Sequence, residues 1–319
     1  MKSTEIQVAQ AIKSVARNQQ IKSYIRQSDE LYPLLLQVAK RFVTGENSDD
    51  WIVTAQKLIE KDYLISLEYI GENTMNVEAC QDAKNEFLKL IDEMGSLSMG
   101  QTVSLDLSHI GLNVHPKTAY THLLELARNA QKHGITLMIS MEESAKTNDI
   151  LDIYKKTTEQ YSNVGITIQT YLYRSINDIK NLIHYPGKIR LVKGAYQESS
   201  DKVMSRSKEL NNRYLELVEF LLDANHPLSI ATHDEMLIRE IENRQYLQNS
   251  NVELEMLYGI RPDLLKNIKE KGYNCKVYLT YGNEWYLYLC HRIAEYPENL
   301  FLAITDLIDS SLTEEKSSY

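Results

Sequence analysis

Eight short apolar runs, each followed by a helical pattern, constrain this 319-residue chain more than any other feature. Runs rich in Ile, Val, Leu, Thr and Tyr fall at 64–71, 103–108, 136–142, 166–173, 188–194, 228–233, 252–259 and 276–282. Helical periodicity fills 77–94, 119–132, 150–161, 176–182, 207–224, 235–247, 262–271 and 284–294. Strands alternating with helices pair in parallel through right-handed crossovers. Eight such units predict an α/β fold of the closed (β/α)8 barrel type. An open doubly wound sheet is the competing arrangement, but no GxGxxG follows a strand.

The barrel is expected over 63–305. Residues 1–62 form an additional N-terminal helical segment, with helices in 4–43 and 51–61. Polar residues 306–319 form a frayed C-terminal tail. Helix 284–294, after strand eight, is expected to cap the barrel mouth. Its Trp285, Leu289 and Ile293 have the spacing of packing residues.

A net charge of −9 argues against nucleic acid and anionic membranes as partners. No run approaches the roughly 20 apolar residues of a membrane span, and residues 1–20 lack a signal-peptide core. Three scattered cysteines suit a reducing compartment. The cytoplasm is the expected location.

Active sites of such barrels lie at the C-terminal strand ends. Those ends carry Glu68, Glu72, Asp106, His109, Ser140, Glu142, Glu143, Gln169, Tyr171, Arg174, Arg190, Lys193, Tyr196, Thr232, His233, Asp234, Glu255, Tyr258, Tyr278, Tyr281 and Asn283. Strand five puts Arg190 and Lys193 inside an apolar run, where burial demands anionic or acceptor partners. Salt bridges to acidic neighbours would satisfy them. So would an electron-accepting ring bearing phosphates, or, for Lys193, a Schiff-base role. His109, His233, Glu142 and Glu255 lack compact metal-ligand spacing, so no metal is expected. No GxSxG elbow is present.

Arg190-Leu-Val-Lys-Gly-Ala-Tyr196 resembles the fifth-strand signature of the proline dehydrogenase family, flavoenzymes built on a (β/α)8 barrel. Phe42-Val-Thr-Gly-Glu46, Leu67-Glu-Tyr-Ile-Gly-Glu72, Ile110-Gly-Leu112 and Gly165-Ile-Thr-Ile-Gln-Thr-Tyr-Leu-Tyr-Arg174 follow in family order. So do Ala231-Thr-His-Asp234, Glu255-Met-Leu-Tyr-Gly259 and Tyr281-Gly-Asn-Glu-Trp-Tyr286. The similarity spans roughly residues 40–305. It implies FAD at the barrel mouth, with Arg190 and Lys193 catalytic and Gln169, Arg190, Lys193, Thr232 and His233 binding the cofactor. It implies hydride transfer from the ring carbon beside nitrogen, with Leu191, Tyr196, Leu257 and Tyr278 lining the substrate pocket. Tyr278 disfavours hydroxyproline.

The resemblance fails where the family grips the substrate carboxylate. The family's strand-two lysine is Asp106, its strand-three aspartate is Ser140, and its paired arginines read His291-Arg292, with Glu295 retained. Imidazole does not replace a bidentate guanidinium. The expected substrate is therefore a proline-like cyclic or secondary amine whose carboxylate is absent, masked or replaced, bound by Asp106, Ser140, Tyr196, Leu257, Tyr278, His291, Arg292 and Glu295. A quinone, redox protein or oxygen is expected to reoxidise the flavin. A non-catalytic ligand-binding barrel and a Lys193 imine enzyme are the alternatives.

Overall fold

The computed structural model describes residues 7, 11–12, 14–16, 18–99, 101–295, 299, 301, 305 and 319. Eight parallel strands close in sequence order: β1 (Leu64–Tyr69), β2 (Thr102–Leu105), β3 (Thr136–Ile139), β4 (Val164–Gln169), β5 (Ile189–Val192), β6 (Leu228–Ala231), β7 (Val252–Leu257) and β8 (Cys275–Tyr281). The expected barrel is present. All eight strands end earlier than the apolar runs, because the last residues of each run leave the ladder to form the rim.

Three described helices, α1 (Gln19–Gln27), α2 (Leu31–Ala39) and α3 (Ser48–Glu60), precede the barrel. The first four barrel helices are α4 (Val77–Ser96), α5 (Pro116–Lys132), α6 (Thr147–Thr158) and α7 (Ser175–Leu182). They are followed by α8 (Lys208–Asp223), α9 (Glu235–Asn243), α10 (Pro262–Glu270) and α11 (Trp285–Glu295). Among the described residues, no helix is long and apolar enough to cross a membrane.

The Phe42-to-Glu46 segment straps the N-terminal helices to β8. Thr44 N donates to Thr280 O at 2.8 Å, and Gly282 N to Gly45 O at 3.0 Å. Gly45 has φ +152°, and a Cβ there would lie 2.3 Å from the Asp50 carboxyl. That carboxyl accepts the Glu46 and Asn47 amides and so starts α3.

Two apolar clusters order the molecule. The larger fills the space between strands and outer helices. The second joins Val38, Ala39, Phe42 and Val43 to Trp285, Leu289 and Ile293, which pack as expected and hold α11 to the N-terminal helices. The same helix brings Tyr288, which also packs against this cluster, and Arg292 within electrostatic reach of Glu68, and Arg292 within reach of Tyr278.

The expected tail lies outside the described residues except for Tyr319, which is buried rather than frayed. Its hydroxyl accepts the Gly259 amide at 2.8 Å, and its ring stacks on Tyr258 and meets Tyr63 edge-on. Phenol burial and the freed backbone donor outweigh chain entropy at that point.

Candidate active site

Strand alternation decides what enters the barrel. In β5, Arg190 faces inward, and Leu191 faces out into the strand–helix core, fully buried. Leu191 is therefore a packing residue, not the pocket wall that the resemblance implied. The Arg190 guanidinium lies across the interior. Nε reaches Glu255 Oε2 at 2.8 Å, and Nη2 reaches Glu255 Oε1 at 2.7 Å, Ser104 Oγ at 2.8 Å and Ser66 Oγ at 3.1 Å. Ser229 Oγ donates to the same Glu255 oxygen as Nε. Burial opposes both charges, yet the pair raises Arg190 and lowers Glu255, so both stay ionised. None of these bonds uses Nη1.

Arg190 also lies 4.9 Å over the Tyr278 ring, and the Tyr278 hydroxyl donates to Glu68. Burial pushes the Glu68 carboxyl up to about 7, against the pull of Tyr278 and Arg190.

Gln169, at the end of β4, donates its amide to the carbonyls of Met141 (3.0 Å) and Glu142 (3.1 Å). Its Oε1 is buried without a partner. Lys193 pairs with Asp234 at 2.5 Å. Asp234 caps α9 through the Leu237 amide at 3.1 Å, and Thr232 Oγ1 accepts the Asp234 amide at 3.2 Å. His233 Nε2 accepts the Leu257 amide at 3.3 Å, and its Nδ1 is orphaned. Burial, then Arg292 and Arg261, push His233 down to about 3, so it is neutral at ordinary pH. Lys193, just past β5, is anchored to Asp234, which weighs against a Schiff-base role.

Asp106 follows β2 and stands beside Ser140, since Leu105 pairs with Ile139. Burial, then Glu142, Glu68 and Glu72, push it well above the usual carboxylate range. Tyr196 belongs to the same neighbourhood. Burial and then Asp106, Glu72 and Glu142 raise its phenol. Arg292 pairs with Glu295 at 2.8 Å and lies 4.8 Å over the Tyr288 ring. Lys146 is held by Glu142 at 2.6 Å, Glu143 at 3.0 Å and Asn73 at 2.6 Å. His291 is only half-buried on α11. His109 stacks on Tyr69 at 5.3 Å and does not join His233, Glu142 and Glu255. Among the described residues, no three His, Cys, Asp or Glu side chains gather to hold a metal.

The structure thus gathers Arg190, Tyr278, Glu68 and Arg292 at one part of the mouth, and Asp106, Ser140 and Tyr196 beside it. The sequence did not tie Ser66, Ser104, Ser229 or Glu255 to Arg190, which they cage. The available signal was small or acidic residues at inward positions of other strands, in the level of a buried arginine.

A family model described as proline dehydrogenase matches residues 51–299. Proline dehydrogenase 2 of Bacillus subtilis (strain 168) is 30% identical over 268 residues, covering 83% of this chain and 88% of the relative. Proline dehydrogenase of Deinococcus radiodurans is 29% identical over 306 residues, covering 93% and 97%. Among solved structures, proline utilization A from Bdellovibrio bacteriovorus, inactivated by N-propargylglycine, aligns with a TM-score of 0.74 at 20% identity. That alignment covers 89% of this chain and 38% of the longer one, and at this identity it speaks to the fold alone.

Proposed function

We propose, on the premise that this chain belongs to the proline dehydrogenase family, that it oxidises a proline-like cyclic or secondary amine to the imine with FAD, and that free proline is not its preferred substrate. Family membership makes it an oxidoreductase acting on CH–NH groups.

The donor and acceptor set suits a flavin. Gln169 Oε1 and His233 Nδ1 are buried without partners, and the Arg190 Nη1 is left over from the Glu255 fork. Gln169, Arg190, Lys193, Thr232 and His233 would hold FAD. When bound, it supplies the acceptor for a hydride leaving the carbon beside the amine nitrogen. Glu255 and the serines fix Arg190 in one orientation and keep it charged, so no reorganisation is needed where negative charge develops. Tyr278, held by Glu68, and Tyr196 would wall the substrate. Arg292 would approach from α11, oriented by Glu295.

The observation that carries the substrate reading is Asp106 beside Ser140: Leu105 pairs with Ile139, so the next residues of the two strands stand side by side at the mouth. The family pattern has a lysine and an aspartate at these two places. A substrate carboxylate near Asp106 would meet an acid instead of a cation, and losing charge-assisted bonds of this kind costs several kcal/mol. Lys146, near Asp106 through Glu142, is itself engaged by Glu142 and Glu143.

Steady-state oxidation of proline, prolinamide and proline methyl ester by the flavin-loaded protein tests this. Higher kcat/KM for the amide or ester is expected. Proline outperforming both overturns the altered-substrate reading. Protein that stays colourless with added FAD overturns the enzyme reading.

A further inference from the structure

We propose that Glu68 is the proton acceptor of the reaction, taking a proton from the substrate nitrogen so that hydride can leave the carbon beside it. This rests on the amine-oxidising reading above and supplies the base which that reading lacks.

The chemistry requires such a group. A secondary alkylamine is a cation at neutral pH, and its nitrogen has no free electron pair until a proton leaves. In the proposed step the N–H bond breaks and an O–H bond forms on the Glu68 carboxylate. The freed nitrogen pair then makes the C=N bond, while the C–H pair departs as hydride to the flavin of the reading above. The proton later passes from Glu68 to water at the open side of the mouth.

Position singles out Glu68. Ile65 and Leu67 pack in the strand–helix core, so Ser66 and Glu68 point into the barrel. Ser66 bonds the Arg190 guanidinium, and Glu68 is the next inward residue toward the mouth. Ser66, Ser104, Arg190 and Glu255 are at most 4% exposed, whereas Glu68 is part-exposed. With Tyr278, whose ring lies under the Arg190 guanidinium and whose hydroxyl bonds Glu68, it forms the floor of the mouth.

Four other acids of the mouth are committed to cations. Glu142 is paired with Lys146, Glu255 with Arg190, Asp234 with Lys193 and Glu295 with Arg292. A bound cation holds the ionised form and makes a carboxylate a poor base. Glu68 Oε2 is held by the Tyr278 phenol instead, a neutral donor that orients the carboxylate and keeps its charge. That bond leaves Oε1 to take the proton.

The groups around Glu68 suit a base that works near neutrality. Burial raises its carboxyl most, Glu72 after β1 adds to this, and Tyr278 on β8, Arg190 on β5 and Arg292 on α11 oppose it, with about 7 as the outcome. Asp106 after β2 and Tyr288 on α11 also act on it. Proton transfer is most effective when the base is matched to the working pH.

The test follows anaerobic flavin bleaching by saturating prolinamide and by saturating pyrrolidine, two amines of different basicity, across about pH 5 to 10. In the native protein the limiting rate is expected to rise with pH along a limb at or below about 7, at the same pH for both amines. Glu68→Gln is expected to lower the rate at neutral pH about a hundredfold or more. Its limb moves up to a pH set by each amine, higher for pyrrolidine. Formate is expected to restore part of the rate to Glu68→Ala. Infrared spectra of the amine-free protein are expected to lose one protonated-carboxyl C=O band as pH rises through about 7, a band missing in Glu68→Gln. A Glu68→Gln protein with the native rate and limb overturns this inference and leaves amine oxidation standing. So does a slow variant whose limb stays in place and whose Glu68→Ala counterpart formate does not rescue, since that is a structural role. Absence of the carboxyl band from the native protein overturns it without any variant. If neither amine bleaches the flavin, the amine-oxidising reading fails and the inference falls with it.

Discussion

Arg190 and Glu255 meet fork to fork inside the barrel, with Nε and Nη2 at 2.8 and 2.7 Å from the two carboxylate oxygens. Both side chains are almost wholly buried. Removing one charge of such a pair strands the other and costs about 3–5 kcal/mol. Glu255→Gln is therefore expected to lower the denaturation midpoint sharply and weaken flavin retention. Wild-type stability in urea unfolding would refute the cage.

Exchanging the polar pair at strands two and three should move the substrate preference. Asp106→Lys with Ser140→Asp recreates the charge pattern of the family. It is expected to raise kcat/KM for free proline about tenfold or more and to lower the preference for prolinamide over proline. Adding His291→Arg should extend the gain. No change in the ratio of proline to prolinamide turnover would show that these positions do not face the substituent.

Glu68 couples stability to pH. Its folded carboxyl sits at about 7 against an ordinary 4.5, chiefly because of burial. A group raised in this way favours the folded state fully below its unfolded value, and that contribution is lost as pH rises through the folded value. Between pH 4.5 and 7 the Glu68 contribution should thus fall. Glu68→Gln, which stays neutral and keeps an acceptor for Tyr278, should flatten that part of the Tm–pH curve. An unchanged slope would argue against it.

His233 is expected not to titrate between pH 5 and 8, since burial holds it near 3. Its imidazole resonances should stay fixed over that range. His233→Leu strands the Leu257 amide and should cost about 1–3 kcal/mol. A titrating His233 would instead open a general-base role.

Tyr319→Phe removes the acceptor of the Gly259 amide while keeping the ring against Tyr258 and Tyr63. A modest loss of about 1 kcal/mol is expected, with a larger loss for Tyr319→Ala. Equal stability of all three proteins would show that the residue does not dock.

Alternating apolar runs and helical periods were enough to specify eight strands and their parallel pairing, because pleat and helix pitch are local properties of the chain. The motifs around Arg190, Gln169 and His233 were likewise legible, and so was the replacement of lysine by Asp106. Closure of the barrel decided the rest. It brought Ser66, Ser104 and Glu255, far apart in sequence, to one guanidinium. It turned Leu191 outward into packing and set Ser140 beside Asp106. Burial and neighbouring charge depend on which strands become adjacent, and so does the protonation of Glu68, Asp106 and His233. No run of residues carries that information by itself.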